Sequence, residues 1–274
     1  MEHRTAIVTG ASAGIGRAAA AQLLDAGWRV IGIGRDPLRT ADTAAALASP
    51  RFTMLRADLS SLVAIAGLAA ELLRLAPRID ALLNVAGGVQ AERRTTAEGF
   101  EVTFAANHLA PFMLTTRLLP ALLPGGRVIA VSSSGHEYCR GLNWDDLDFT
   151  TGWLSGAAYC QAKLANILFT RELARRYGPE GLVAHAMHPG VVDSNFASHC
   201  DAPMKAHMEA IRPEAVAPEV PARTLCWLAG DPAPALVNGR YFHAMAEAAC
   251  SVEAQDDAAA ARLWQVSAEL TAAY

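Results

Sequence analysis

Short stretches that are apolar at every position alternate along the chain with longer stretches that are apolar on one side only. The short ones fall at 6–8, 30–33, 52–55, 81–85, 128–131, 182–187 and 241–242, and read as strands. The longer ones, at 14–26, 38–48, 62–75, 98–119, 156–177, 221–229 and 257–270, read as amphipathic helices. A strand without polar alternation has both faces covered, which marks a parallel sheet between two helical layers. The order of elements therefore predicts a doubly wound α/β domain of Rossmann type, with a central parallel sheet of about seven strands and helices on both faces. No Pro-, Gly- or Ser-rich linker, repeat or block of charge divides the chain, so residues 1–274 are expected to form a single domain. Two segments break the rhythm, 134–155 and 195–221. Long connections at the carboxyl edge of such a sheet are where ligands bind, and 195–221 is expected to be a substrate lid.

Composition narrows the classes of function. The 274 residues are 52% hydrophobic and 18% charged, with a formal net charge of −4. That balance argues against a nucleic-acid surface, which needs a basic bias. Charged residues or prolines interrupt every apolar run before it reaches membrane-spanning length, and the first residues do not read as a secretion signal. Five scattered cysteines without a C-x-x-C pair fit free thiols in a reducing cytoplasm. His185 and His188 have an odd spacing within an extended run, so they should face opposite ways, and no metal site is expected there. A small-molecule substrate is the expected partner.

The turn after the first strand is Thr9-Gly10-Ala11-Ser12-Ala13-Gly14-Ile15-Gly16. Its glycines let the backbone approach a ligand, and the helix that follows points free N–H groups and its positive dipole end the same way. The alternative is a tight turn with no ligand. The second strand ends in Gly34-Arg35-Asp36. A guanidinium there suits a ribose 2′-phosphate, so Arg35 favours NADP(H) over NAD(H), while Asp36 is the residue that would serve a 2′-hydroxyl instead. Asp58, after the third strand, is placed either to accept from an adenine amino group or to begin a helix.

Tyr159 and Lys163 stand four positions apart in a predicted helix and share one face. They are either a surface pair or a general acid with a cation that lowers its pKa. Their company favours the second reading. In order, the chain carries TGASAGIG, LLNVAGG, NHLAPFMLT, VSSSGH, YCQAK and HPGVV. This set resembles the short-chain dehydrogenase/reductase family, and within it the branch containing retinol dehydrogenases and related carbonyl reductases. The resemblance runs from about Thr5 to the last helix.

The resemblance implies hydride transfer between a nicotinamide and a carbonyl or alcohol, with Tyr159 as general acid/base. Lys163 would also hold the nicotinamide ribose. Ser133 would bind the substrate oxygen, with Ser134 as the neighbouring choice. Asn107 would hold a water linking Lys163 to solvent. Gly10, Ser12, Gly14, Ile15, Gly16, Asn84, Ala86, Gly87, Pro189, Gly190, Val192 and Ser194 would line the cofactor. A homodimer or homotetramer built on helices 98–119 and 156–177 is implied, although Leu164, Ile167, Leu168 and Leu173 would serve a core equally well. Phe196, Met204, Met208 and Ile211, with Tyr138, Trp144, Phe149 and Trp153, either wall a pocket for a bulky apolar substrate or pack their segments onto the body. Reduction of an activated C=C bond and non-catalytic dinucleotide sensing are the competing functions.

Overall fold

The computed structural model describes residues 3–194, 196, 198 and 200–274. Expected residues Asn195, Ala197 and His199 of the 195–221 segment lie outside them. Eight strands form one sheet: β1 Thr5–Thr9, β2 Arg29–Gly34, β3 Phe52–Arg56, β4 Ala81–Asn84, β5 Arg127–Val131, β6 Val183–Met187, β7 Arg240–His243 and β8 Ala246–Glu247. Their spatial order is β3-β2-β1-β4-β5-β6-β7-β8. The first seven are parallel, and β8 returns antiparallel to β7.

Alternation along each strand feeds two cores. Ile7, paired with Ile31 and Leu82, faces helices α3 Leu62–Leu75, α5 Ala110–Leu122 and α6 Ser155–Tyr177. Its neighbours Ala6 and Val8 face α1 Gly14–Asp25 and α8 Glu219–Gly230. Both faces are dry, which is why the strands lack polar positions. The chain leaves β1 first toward β2 and later toward β4. This reversal opens a crevice at the carboxyl ends of β1 and β4, where doubly wound sheets bind ligands.

Three elements depart from the expectation. The helix expected from residue 98 starts later, as α4 Val102–Phe104, and passes through a wide π-helical turn, Ala105–Leu109, into α5. Glu98 is drawn away by Ser61, whose hydroxyl donates to it at 2.8 Å, and Glu101 caps the helix by accepting from the Phe104 N–H at 2.8 Å. Helix α7 Ala202–Ile211, capped by Asp201, forms where the pattern showed no element. None of its residues is buried, so no core-facing stripe announced it. The hairpin between β7 and β8 turns on Ala244 and Met245, both with positive φ (47° and 60°). Such a turn ordinarily shows Asn or Gly, so no local residue marks it.

The last helix, α9 Asp257–Thr271, covers α5 and α6. Trp264 stacks on Phe169 at 5.9 Å, meets Phe112 edge-on at 5.0 Å, and lies beneath the Arg176 guanidinium at 4.8 Å. Arg171 pairs with Asp257 at 2.7 Å, and His108 Nε2 meets the Ser267 hydroxyl at 2.8 Å. Leu164, Ile167, Leu168 and Leu173, open between core and interface in the sequence, are buried in the core of the chain itself. Trp264→Ala should therefore cost about 3–5 kcal/mol of stability, read as a lower midpoint in guanidinium unfolding.

Candidate active site

Gly10 turns the chain out of β1 with φ +69°, and Gly16 lies so close to it that a Cβ there would meet the Gly10 oxygen at 2.3 Å. The start of α1 has no side-chain cap and no acid in its first turn. Its backbone N–H groups therefore remain available to an anion. Around this turn runs a cleft of ≈ 370 Å³. Gly10, Ser12, Gly14, Ile15 and Gly16 form its floor; Arg35 and Asp58 stand at one end. Ala86, Gly87, Asn107, Tyr159, Lys163, Pro189 and Ser194 form the other end.

At the arginine end, Arg35 and Asp36 turn to different surroundings. Asp36 accepts from the Arg39 N–H at 2.8 Å and starts α2 Pro37–Leu47, outside the cleft wall. Arg35 is exposed and lines the cleft. Gly34 leaves room there, since a Cβ would lie 2.8 Å from the Ser12 Cβ. Asp58 accepts from the Ser60 N–H and hydroxyl at 3.0 and 2.8 Å, while Ser61 caps α3. The helix-starting role considered for Asp58 thus belongs to Ser61.

Several expected cofactor contacts fall elsewhere. Asn84 is buried and donates to the Thr115 hydroxyl at 3.1 Å, so it ties β4 to α5 and does not reach the cleft wall. Gly190 and Val192 line a second cavity, where Val192 bridges to Val216. Thr9 is a residue the reading missed. Its hydroxyl accepts from the Val85 and Ala86 N–H groups at 2.9 and 3.0 Å and holds the β4 turn against the glycine loop. Its place beside Gly10 was the available signal.

The residues expected to do the chemistry come together. Tyr159 and Lys163 lie on the same face of α6, with the ammonium 5.5 Å from the phenol ring centroid. Lys163 is buried and donates to the Val131 carbonyl at 3.0 Å. Ser132 donates to the Lys163 carbonyl at 2.7 Å, and the extended backbone turns the next hydroxyl, Ser133, the other way, to the Tyr159 side, where it accepts from the Gly135 N–H at 3.0 Å and lowers the phenol pKa. Ser134 instead begins a 3₁₀ turn, Ser134–Tyr138. Asn107 sits in the π turn. Its amide donates to the Thr103 and Gly88 carbonyls at 2.8 and 3.0 Å and its oxygen accepts from the Gly88 N–H at 3.0 Å. Gly87 makes this possible, because a Cβ there would lie 2.5 Å from the Asn107 oxygen and 3.2 Å from Lys163 Nζ.

Burial pushes the Tyr159 phenol above its ordinary value, and Ser133 only partly opposes this. Burial also pushes the Lys163 ammonium down to about 8, which leaves it largely charged at neutral pH.

Beyond Tyr159 lies a larger cavity of ≈ 910 Å³, walled by Phe196, Met204, Met208, Ile211, Val191 and Val220. Tyr159, Ile15, Ser132, Pro189, Ser194 and Phe196 line both spaces. The phenol packs edge-on against Phe196 at 5.2 Å. Of the 134–155 aromatics, only Tyr138 reaches this cavity. Trp144 lies under Arg262 of α9 at 4.2 Å, Trp153 donates to Glu101 at 3.3 Å, and the Phe149 carbonyl accepts from Arg93 at 2.9 Å. That segment mostly packs onto the body. His185 turns to the Pro234 carbonyl at 2.9 Å, whereas His188 stacks on His243 at 4.0 Å under the cavity. Among the described residues no group of three or more His, Cys, Asp or Glu could hold a metal ion, and no helix is long and apolar enough to cross a membrane.

Comparison with known proteins gives this geometry a setting. A family model described as short chain dehydrogenase matches residues 4–205. Retinol dehydrogenase 14 of Mus musculus is 35% identical over 286 residues, covering 97% of this chain and 85% of that protein. A Streptomyces sp. (strain C5) protein named as a daunorubicin C-13 ketoreductase is 38% identical over 269 residues, covering 97% and 91%. Among solved structures, the Pseudomonas aeruginosa RhlG/NADP active-site complex superposes with a TM-score of 0.69 at 30% identity, covering 87% and 93%. The cleft suits a dinucleotide on its own terms: close-packed glycines, an uncapped helix start, and a cation beyond them.

The buried lysine has a pH signature. Its native pKa of about 8 lies below the unfolded value of about 10.4, so between these the unfolded chain binds more protons and stability rises with pH. Lys163→Met abolishes that contribution. The stability of the parent relative to the variant, from unfolding curves of the protein without added ligand, should rise from about pH 8 to about pH 10.

Proposed function

The chain belongs to the short-chain dehydrogenase family, and from that premise we propose that it is an NADP(H)-dependent oxidoreductase acting on the carbonyl or alcohol of a bulky apolar substrate. One observation carries this reading. Tyr159 stands in the wall shared by the glycine-floored cleft and the Met-rich cavity, with Ser133 on its phenol side and Lys163 beneath its ring.

The chain's residues then have distinct tasks. The glycine turn and the start of α1 hold the phosphates, Arg35 holds the 2′-phosphate, and Asp58 accepts from the adenine. When bound, the nicotinamide dinucleotide supplies a hydride to the substrate carbon or accepts one from it. Ser133 donates to the substrate oxygen and fixes it beside the phenol. In the reductive direction Tyr159 gives its proton to that oxygen, so the C=O becomes CH–OH and a phenolate remains. The Lys163 ammonium stabilises the phenolate, and a water held near Asn107 returns the proton. Lid residues Met204 and Met208 offer adaptable thioethers to an irregular apolar shape. The ketoreductase and retinol dehydrogenase names of the relatives agree with such a substrate, without fixing it as a retinoid or a polyketide. Five free thiols support a reducing, cytoplasmic setting.

Two experiments test the reading. With a panel of aldehydes, ketones and quinones, Tyr159→Phe should lower kcat by about 10²–10⁴-fold while NADPH still binds in fluorescence titration; undiminished turnover would remove the proton-transfer role. Separately, Arg35→Ala should weaken NADPH by about tenfold to a hundredfold and NADH little. Equal weakening of both would show that Arg35 does not read the phosphate.

A further inference from the structure

His136 is completely buried and lies three residues after Ser133, yet the chemistry above does not use it. Its Nδ1 meets the Ser133 carbonyl at 2.7 Å, and its Nε2 accepts from the Ser251 backbone N–H at 3.1 Å. A carbonyl can only accept and an N–H can only donate, so both partners demand one form: neutral, with the proton on Nδ1. The ring also rests edge-on against Tyr241 at 5.1 Å. Its backbone N–H donates to the same Ser133 carbonyl at 3.1 Å. The main-chain carbonyl of Ser133 is thus gripped twice by His136, while its hydroxyl oxygen accepts from the Gly135 N–H at 3.0 Å and keeps its own proton to donate on the Tyr159 side.

The other end of the link is equally anchored. The Ser251 hydroxyl accepts from the Ala254 N–H at 3.3 Å, and Ala254 is fully buried in the core shared with α6 and α9. Helix α6 carries Tyr159. The tail therefore supports both residues: Tyr159 through α9 packed on α6, and Ser133 through His136.

We propose that His136 is a positioning residue, which sets Ser133 against Tyr159 by tying the loop after β5 to the C-terminal segment at Ser251. This rests on the catalytic reading of Ser133 given above. It assigns to the tail a part in transition-state geometry in addition to its part in packing. Neither His136 nor Ser133 lines the cleft, so their loss should leave dinucleotide affinity intact.

The test uses the full chain and whichever aldehyde, ketone or quinone the parent reduces fastest. Ser133→Ala is the reference. His136→Ala should lower kcat by about tenfold to a hundredfold, with the NADPH dissociation constant, from fluorescence titration, within about twofold of the parent. His136→Gln, which retains a donor and an acceptor, should recover most of kcat. Ser251→Pro removes the backbone donor and should lower kcat in the parent, but by less than about twofold in the His136→Ala background. If Ser133→Ala is silent, the serine's catalytic role fails and there is nothing to position. If Ser133→Ala is costly but His136→Ala is not, the inference alone falls. It falls equally if His136→Ala loses NADPH affinity in step with kcat, if His136→Gln recovers nothing, or if the His136 and Ser251 effects multiply independently.

Discussion

A lysine ammonium enclosed without a carboxylate partner among the described residues is the constraint on which the site depends. Lys163 gives one hydrogen bond, to the Val131 carbonyl, and lies under the Tyr159 ring. Burying a cation this way is unfavourable, and the lowered pKa records the cost. The arrangement is stable only because the sheet and α6 hold it from both sides. Such a cation is poorly solvated until a negative charge forms nearby. A phenolate at Tyr159 is that charge, so the same burial that keeps the phenol protonated at rest strengthens its stabilisation once the proton has left.

The rest of the site can be read as the means of keeping this pair in place and accessible from two directions. Gly87 lets the β4 loop pass within contact distance of both Lys163 and Asn107. Asn107 owes its position to the π turn, and it bonds the carbonyl of Thr103 as well as both polar groups of Gly88. A widened turn at a functional residue is a recurrent use of π geometry. Thr9 clamps the same loop to β1. Loop and strand ends thereby converge where the chain reverses direction across the sheet, leaving the glycine floor on one side of the phenol and the Met-lined space on the other.

The C-terminal segment changes how this scaffold is supported. Trp264 fills the groove between α5 and α6, and Ser251 reaches the loop behind Ser133. In a chain lacking such a segment, another molecule would have to cover those helices. Apolar residues at Leu164, Ile167, Leu168 and Leu173 are equally consistent with both solutions, because burial by a neighbour subunit and burial by a later helix leave the same pattern in the sequence.

The order of strands and helices was legible because periodicity is local: a strand covered on both faces and a helix with one dry stripe each declare themselves within a few residues. The glycine turn, the Arg35 end and the Tyr159–Lys163 spacing were legible for the same reason. What needed the tertiary structure were choices among neighbours and directions. Ser132 turns its hydroxyl to α6 and Ser133 the other way, and Asp36 caps a helix. Asn84 turns toward Thr115, and burial pushes the Tyr159 pKa up. Helix α7 escaped notice because it faces a cavity, and the β7–β8 turn because Ala244 and Met245 adopt positive φ without glycine. The sequence by itself thus determined which chemical groups are present and which share an element; only three-dimensional packing decided their partners, since hydrogen-bond direction and desolvation depend on residues far away along the chain.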